Sequence, residues 1–208
     1  MNATSDGGIG RTNQKARTRI AIIDACRRLI RTGANVTMTE VAQVALVSEA
    51  TAYRYFPDLV SLLNEALVGL WPSPSEAFQP IATSTDPTER IAFASEFFLR
   101  RILAYQGSVR AMIATTITRP ELAAMRPGLR FVWIDFALAP AAGRFVREGS
   151  ALFARLKRDL AVVISPEALF TLIDLCGLSP DEAVMHSVRL ATVITMAALA
   201  TAPEHQHT

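Results

Sequence analysis

Along most of the chain, apolar residues recur at spacings of three and four rather than two, a pattern that predicts helices throughout. Ile22, Ala25, Cys26, Leu29 and Ile30 follow i, i+3, i+4, i+7, i+8 and share one face, while Asp24, Arg27, Arg28 and Arg31 fall outside it. Gly33 then offers a C-terminal stop. Thr37 followed by Glu40 is a capping box, and it starts a short second helix through Val41, Ala42 and Ala45. Ser48 is a good N-cap for a third helix, which ends at Phe56 because Pro57 disfavours helical geometry in the residue before it. Pro57 itself suits the first turn of a fourth, carrying Leu59, Leu62, Leu63, Ala66, Leu67 and Leu70.

The composition then changes. Residues 71–87, WPSPSEAFQPIATSTDP, hold four prolines and five serines or threonines, which reads as a connection between two units. Beyond it the pattern predicts helices at about 87–105, 108–118, 126–146, 150–164, 166–175 and 180–201, with Pro140 bending or breaking the third of these. The expected fold is all-α. A three-helix unit over 11–57 is followed by a connecting helix and linker over 58–74 and a helical bundle over 75–202.

Charge sharpens this division. Between Arg11 and Arg31 there are seven basic residues against the single acid Asp24, whereas residues 73–208 balance at 13 against 13, so the positive field sits at one end. The two cysteines, Cys26 and Cys176, lie far apart in apolar surroundings and define neither a disulfide framework nor a metal cluster, which suits a reducing interior. The opening MNATSDGGIGR lacks the apolar run of a signal peptide and reads as a flexible lead-in. The longest apolar stretch, Leu190 to Ala202, is thirteen residues with three threonines, short of the ~18 of a membrane span. These features together point to a cytoplasmic, soluble protein.

Three short helices with a sharp turn between the second and third describe a helix-turn-helix, whose second helix can enter the DNA major groove. Val41, Ala42, Ala45, Val47, Ala52 and Phe56 supply the apolar contacts that lock the pair, with Ala42 and Ala52 small enough for a close crossing. That leaves Ser48, Glu49, Ala50, Thr51, Tyr53 and Arg54 facing outward. Tyr53 and Tyr55 can offer hydroxyls to phosphates, Arg54 can reach a phosphate or a guanine edge, and Glu49 can accept from cytosine N4. Lys15, Arg17 and Arg19 sit where an arm could track the backbone.

The stretch TMTEVAQVALVSEATAYRYFPDLVSLL, residues 37–63, resembles the N-terminal signature of the TetR family of bacterial transcriptional regulators. The shared features are a Thr before a Val-Ala pair, a Val-Ser turn, an aromatic Tyr-x-Tyr-Phe and a leucine-rich fourth helix. The resemblance covers about residues 15–70, the rest matching only in helical character and length. It implies phosphate contacts by Thr37, Thr39, Ser48, Thr51, Tyr53 and Tyr55, and base-facing positions at Glu49, Ala50 and Arg54. The family's usual Gly in the turn is Leu46 here, so the turn must reach its geometry without a residue tolerant of positive φ, and its usual Lys at the start of the fourth helix is Leu59.

The second unit is rich in Phe93, Phe97, Phe98, Tyr105, Met112, Phe131, Trp133 and Phe136, which could fill a core or line a ligand cavity. An inducer domain is what the resemblance implies, and Phe93, Phe97, Tyr105, Met112, Trp133 and Phe136 are its candidate lining, for an apolar or aromatic small molecule. Arg100, Arg101, Arg110 and Glu96 are candidate polar partners, although Glu96 and Arg100 at i, i+4 are equally a surface pair. His186 reads as structural. The last helix is apolar almost all round, with small residues at Ala191, Thr195, Ala198 and Ala202, and suits either packing on one side with a partner chain on the other or a fully enclosed central helix. A two-fold dimer would also present two recognition helices to successive grooves.

No Gly-x-Ser-x-Gly, His-Glu-x-x-His or glycine-rich phosphate loop is present, so no enzyme is expected, and no metal or cofactor. The expected function is that of a DNA-binding regulator, a homodimer released from a palindromic operator by a small molecule. A ligand sensor or interaction protein with a degenerate DNA unit is the alternative.

Overall fold

The structure is a computed structural model describing residues 6–33, 35–145 and 150–201. It is all-helical, with eleven α-helices and no strand among the described residues. Two compact units divide it, one of Met1–Trp71 with Tyr105–Pro127, the other of Pro72–Ala104 with Gly128–Thr208.

In the first unit, α1 (Asp6–Ile30) buries Ile22, Ala25, Cys26 and Ile30, the face read from its spacing. The helix begins at Asp6, so the backbone of 6–11 is helical where a loose lead-in was expected. A helix once nucleated gains a hydrogen bond for each further residue it fixes, which here outweighs the glycine penalty. Gly33, at φ +75°, closes its C-terminus. The short helices α2 (Met38–Val44) and α3 (Glu49–Tyr55) follow, then α4 (Leu59–Val68). The N-cap of α4 is Asp58, whose Oδ1 accepts from Ser61 N at 2.8 Å, so Pro57 stands outside the helix it was expected to open.

Between Pro72 and Pro87 the expected linker is largely ordered. Ser73 and Glu76 form a reciprocal capping box with Pro74 at the first helical position of α5 (Pro74–Ala77), and a 3-10 turn spans Gln79–Ile81. Here serine and proline are helix-start residues rather than linker composition. The second unit continues with α6 (Pro87–Ala104), and α7 (Gln106–Thr118) returns to the first. The 3-10 segment Pro120–Met125 follows, then α8 (Leu129–Leu138), a 3-10 segment at Ala139–Phe145 containing Pro140, α9 (Ser150–Val163), α10 (Pro166–Asp174) and α11 (Pro180–Thr201). The expected helix over 126–146 is thus two elements, broken just before Pro140, and Val146 lies outside the described residues.

α7 corrects the expected domain boundary. Met112 of α7 and Leu122 are buried in the same cluster as Ile22, Val41, Phe56, Leu62 and Leu63, with Tyr105 packed against it. In the second unit, α6 packs on α8 and α11, and α11 also on α9 and α10. Ala191 and Thr195 are buried and Ala198 half-buried, so the small-residue stripe turns inward; Ala202 lies outside the described residues. Met185, Leu190, Val193 and Met196 of α11 are exposed. By length and composition α11 could cross a membrane, which the thirteen-residue apolar core alone did not indicate. Its buried residues lie against α6, α9 and α10, as a bundle helix requires.

Candidate nucleic-acid interface

Four residues separate α2 from α3, and each helix carries a side-chain cap at its N-terminus. Thr37 Oγ1 accepts from Glu40 N at 3.2 Å while Thr37 N donates to Glu40 Oε2 at 3.0 Å. Ser48 Oγ accepts from Thr51 N at 3.2 Å and shares a hydrogen with Thr51 Oγ1 at 2.9 Å. Val47 N reaches back to Ala42 O at 3.0 Å. The chain reverses at Leu46, whose φ is +58°. This is the left-handed region that glycine fills without cost, and Leu46 enters it with its side chain 92% exposed. Ala42, Ala52 and Phe56 are buried, fixing the crossing of the two helices on α1 and α4.

That crossing decides which side chains are presented. Ser48, Glu49, Ala50, Tyr53 and Arg54 are exposed, Thr51 and Tyr55 half-buried. Five of the six residues read as outward from the spacing are thus exposed, Thr51 being half-buried, with Ala52 and Phe56 inward. The arginine guanidinium of residue 54 lies 5.6 Å from the Tyr55 ring centroid, so Tyr55 serves as a platform for Arg54 as well as a surface group. Thr39 is exposed on α2, and its Oγ1 donates to Glu49 Oε2 at 3.2 Å across the pair.

A cleft of about 590 Å³ runs between the N-terminal half of α1 and α3. Its walls are Gln14, Lys15 and Thr18 on one side and Val47, Ser48, Thr51, Arg54 and Tyr55 on the other. Four of the ten expected contacts therefore share it with a lysine and with no carboxylate, an arrangement suited to a phosphate. Gln14 and Thr18 escaped the sequence reading. They share a helix face at i, i+4, but only the fold brings that face to residues some thirty positions away. Arg17 is exposed on α1; Thr37 is exposed, with its hydroxyl engaged by Glu40.

Among the described side chains, the basic cluster divides in two. Arg19 pairs bidentately with Glu65 of α4 and lies 4.9 Å from the Phe56 ring centroid, so it ties α1 to α4 rather than reaching for a phosphate. The bond to Glu65 holds the Arg19 guanidinium above its usual pKa, against a smaller opposing effect of burial. Arg27 donates to Ala66 O at 3.4 Å and pairs with Asp24 at 3.3 Å, and Arg28 donates to Val44 O at 3.4 Å. These two satisfy carbonyls near the C-terminal ends of α4 and α2. Lys15, Arg17 and Arg31 remain exposed.

No protein-family model, no curated protein and no solved structure matches the chain.

In the second unit, the expected ligand-lining residues separate. Phe97 stacks on Trp133 at 4.8 Å and on Phe93 at 6.1 Å, and Phe136 belongs to the same cluster, whereas Tyr105 and Met112 belong to the first unit's core. The cluster is centred on Phe78, which meets Phe93 at 5.0 Å and Phe136 at 4.9 Å and was hidden in the supposed linker. Trp133 and Phe78 are buried; Phe93, Phe97 and Phe136 are half-buried. Beneath them Arg90, only 6% exposed, donates to Ala137 O and Phe136 O, both at 2.9 Å, and to Ser84 O at 3.2 Å. Burial lowers its pKa, and the carbonyls near the C-terminal end of α8 supply the negative potential it needs.

Of the polar candidates, Arg100 binds Glu96 and Asp181 on the surface, both at 2.8 Å. Arg101 lies 5.4 Å from the Phe97 ring centroid, and Arg110 falls in the first unit. His186 Nδ1 lies 3.2 Å from an Arg189 nitrogen. Among the described residues no group of three or more His, Cys, Asp or Glu is placed to hold a metal ion.

Proposed function

We propose that this chain is a DNA-binding transcriptional regulator whose α2–turn–α3 segment is a helix-turn-helix, with α3 entering the major groove of a palindromic operator. The observation that carries the reading is the exposed set on the α2–α3 pair, Thr39, Ser48, Glu49, Tyr53 and Arg54, held by two caps and flanked by the Lys15-containing cleft. Side chains at the start of α3 fall where a recognition helix meets base edges, and the hydroxyls and Lys15 where backbone contacts set register. The resemblance of residues 37–63 to the TetR signature supports the same reading and makes repression the expected outcome of binding.

In this proposal the second unit supplies dimerisation and sensing. Met185, Leu190, Val193 and Met196 give α11 an exposed apolar face, which a second copy of the chain would cover. An apolar or aromatic inducer would bind beside Phe93, Phe97 and Phe136 and favour a dimer with misplaced recognition helices. A coupling of about 1–3 kcal/mol suffices for such release. The rival reading, a sensor with a degenerate DNA unit, rests on Leu46 and Leu59; the left-handed φ of Leu46 supports the DNA reading, since the turn takes the geometry that glycine usually supplies, while Leu59 still replaces the family's lysine. The function is cytoplasmic and requires no catalysis.

Selection of bound duplexes from a random pool by the purified protein, at near-physiological salt, tests this directly. One palindromic motif is the expected result. Recovery of no motif by folded protein would refute it.

A further inference from the structure

We infer that Glu49 sets base choice, its carboxylate selecting operators that present a cytosine amino group at one major-groove position of each half-site. The inference rests on the DNA reading above and deepens it. Glu49 is the first residue of α3 and exposed, where a recognition helix meets base edges. Among the described residues it has no ion pair, and the hydrogen bond it receives comes from Thr39 of α2. The other acid of the α2–α3 pair, Glu40, is engaged in the capping box with Thr37. A carboxylate brought against a polyanion loses water and meets repulsion unless a donor awaits it.

The major groove offers few such donors. Guanine shows N7 and O6 and thymine shows O4, all acceptors, so only cytosine N4 and adenine N6 can meet a carboxylate. Adenine places the acceptor N7 beside its amino group, while cytosine has no acceptor on its own groove edge. Cytosine is therefore favoured. The Thr39 hydroxyl, 3.2 Å from Oε2, orients the carboxylate before contact and leaves Oε1 for the base. Because the same charge repels every duplex that lacks the donor, Glu49 also lowers non-specific binding.

The test compares the full-length wild type, Glu49→Ala and Glu49→Gln in selections from a random duplex pool, together with affinity for an unrelated duplex. The wild type is expected to recover a palindrome with cytosine at one symmetry-related position. Glu49→Ala is expected to lose about tenfold preference there and leave the other positions unchanged. Glu49→Gln is expected to move that position to adenine, since an amide pairs with N6 and N7 together. Both variants are expected to bind the unrelated duplex about two- to fivefold more tightly. A palindrome unchanged in Glu49→Ala, or an altered position that held an A·T pair in the wild type, would overturn the inference and leave the DNA reading standing. No motif from folded wild type would overturn both.

Discussion

Replacing Leu46 with glycine is expected to stabilise the first unit, because the structure places a branched side chain in a conformation that glycine adopts freely. At φ +58° an L-residue crowds Cβ against the following carbonyl, at about 1–2 kcal/mol. The side chain contributes almost no burial in return, being 92% exposed, so its removal forfeits no packing. Glycine gives part of the gain back through the freedom of the unfolded chain, about 0.5–1 kcal/mol. The net is a stabilisation of about 0.5–1 kcal/mol, which at a urea m-value of ~1.5–2 kcal/mol/M raises the midpoint by about 0.3–0.6 M. The assay is urea unfolding of the full chain followed by circular dichroism. Leu46→Ala is the control: it removes the exposed apolar surface but keeps the Cβ, so its midpoint is expected to stay at the wild-type value. An equal gain in both variants would assign the effect to lost surface hydrophobicity and refute the backbone explanation.

Tyr53→Ala is expected to weaken operator binding about tenfold, the loss of one hydrogen bond to a charged phosphate, with an unchanged unfolding midpoint; binding equal to wild type would remove α3 from the interface. Arg90→Met is expected to destabilise the second unit by about 3 kcal/mol, measured by urea unfolding, because three carbonyls lose their donor at once. Burial pushes the Cys26 thiol up to about 12, so in native protein only the exposed Cys176 is expected to react with a thiol reagent at pH 8. In the unfolded chain Cys26 ionises at lower pH than in the folded one. Stability is therefore full below pH ~9 and lost above it, by at most about 1.4 kcal/mol per pH unit from this group, which a pH series of unfolding curves would show.

The starts of α2 and α3 were legible because their determinants are adjacent in sequence. Thr37 with Glu40, and Ser48 before Glu49, needed no tertiary information, and the outward set on α3 followed from them by spacing. The same pattern at Ser73 and Glu76 starts α5 and places the buried Phe78 just after it, inside a stretch whose prolines and serines have the composition of a linker. What was not legible depended on distant partners. Nothing local assigns α7 to the first unit; Met112 and Leu122 do so by filling a core built from residues 22–67. The ligand candidates were therefore grouped by composition across a boundary that packing draws elsewhere.

The basic segment carries the same distinction into function. Seven cations over Arg11–Arg31 suggested an electrostatic arm, yet charge counts do not distinguish a guanidinium facing a polyanion from one facing a helix end. Arg19, Arg27 and Arg28 are held within the unit instead, Arg19 by the Glu65 carboxylate, Arg27 by Ala66 O and Asp24, and Arg28 by Val44 O. They tie α1 to α2 and α4, and so hold the scaffold on which α3 is presented. Among the described side chains, the cations left for the proposed duplex are Lys15, Arg17, Arg31 and Arg54, with Lys15 and Arg54 both lining the cleft beside α3. A short set of cations offers less sequence-independent attraction, and specificity then depends more on what α3 itself presents. In the proposed complex one carboxylate at the head of α3 weighs heavily, since it subtracts from an already modest attraction wherever the duplex offers it no donor.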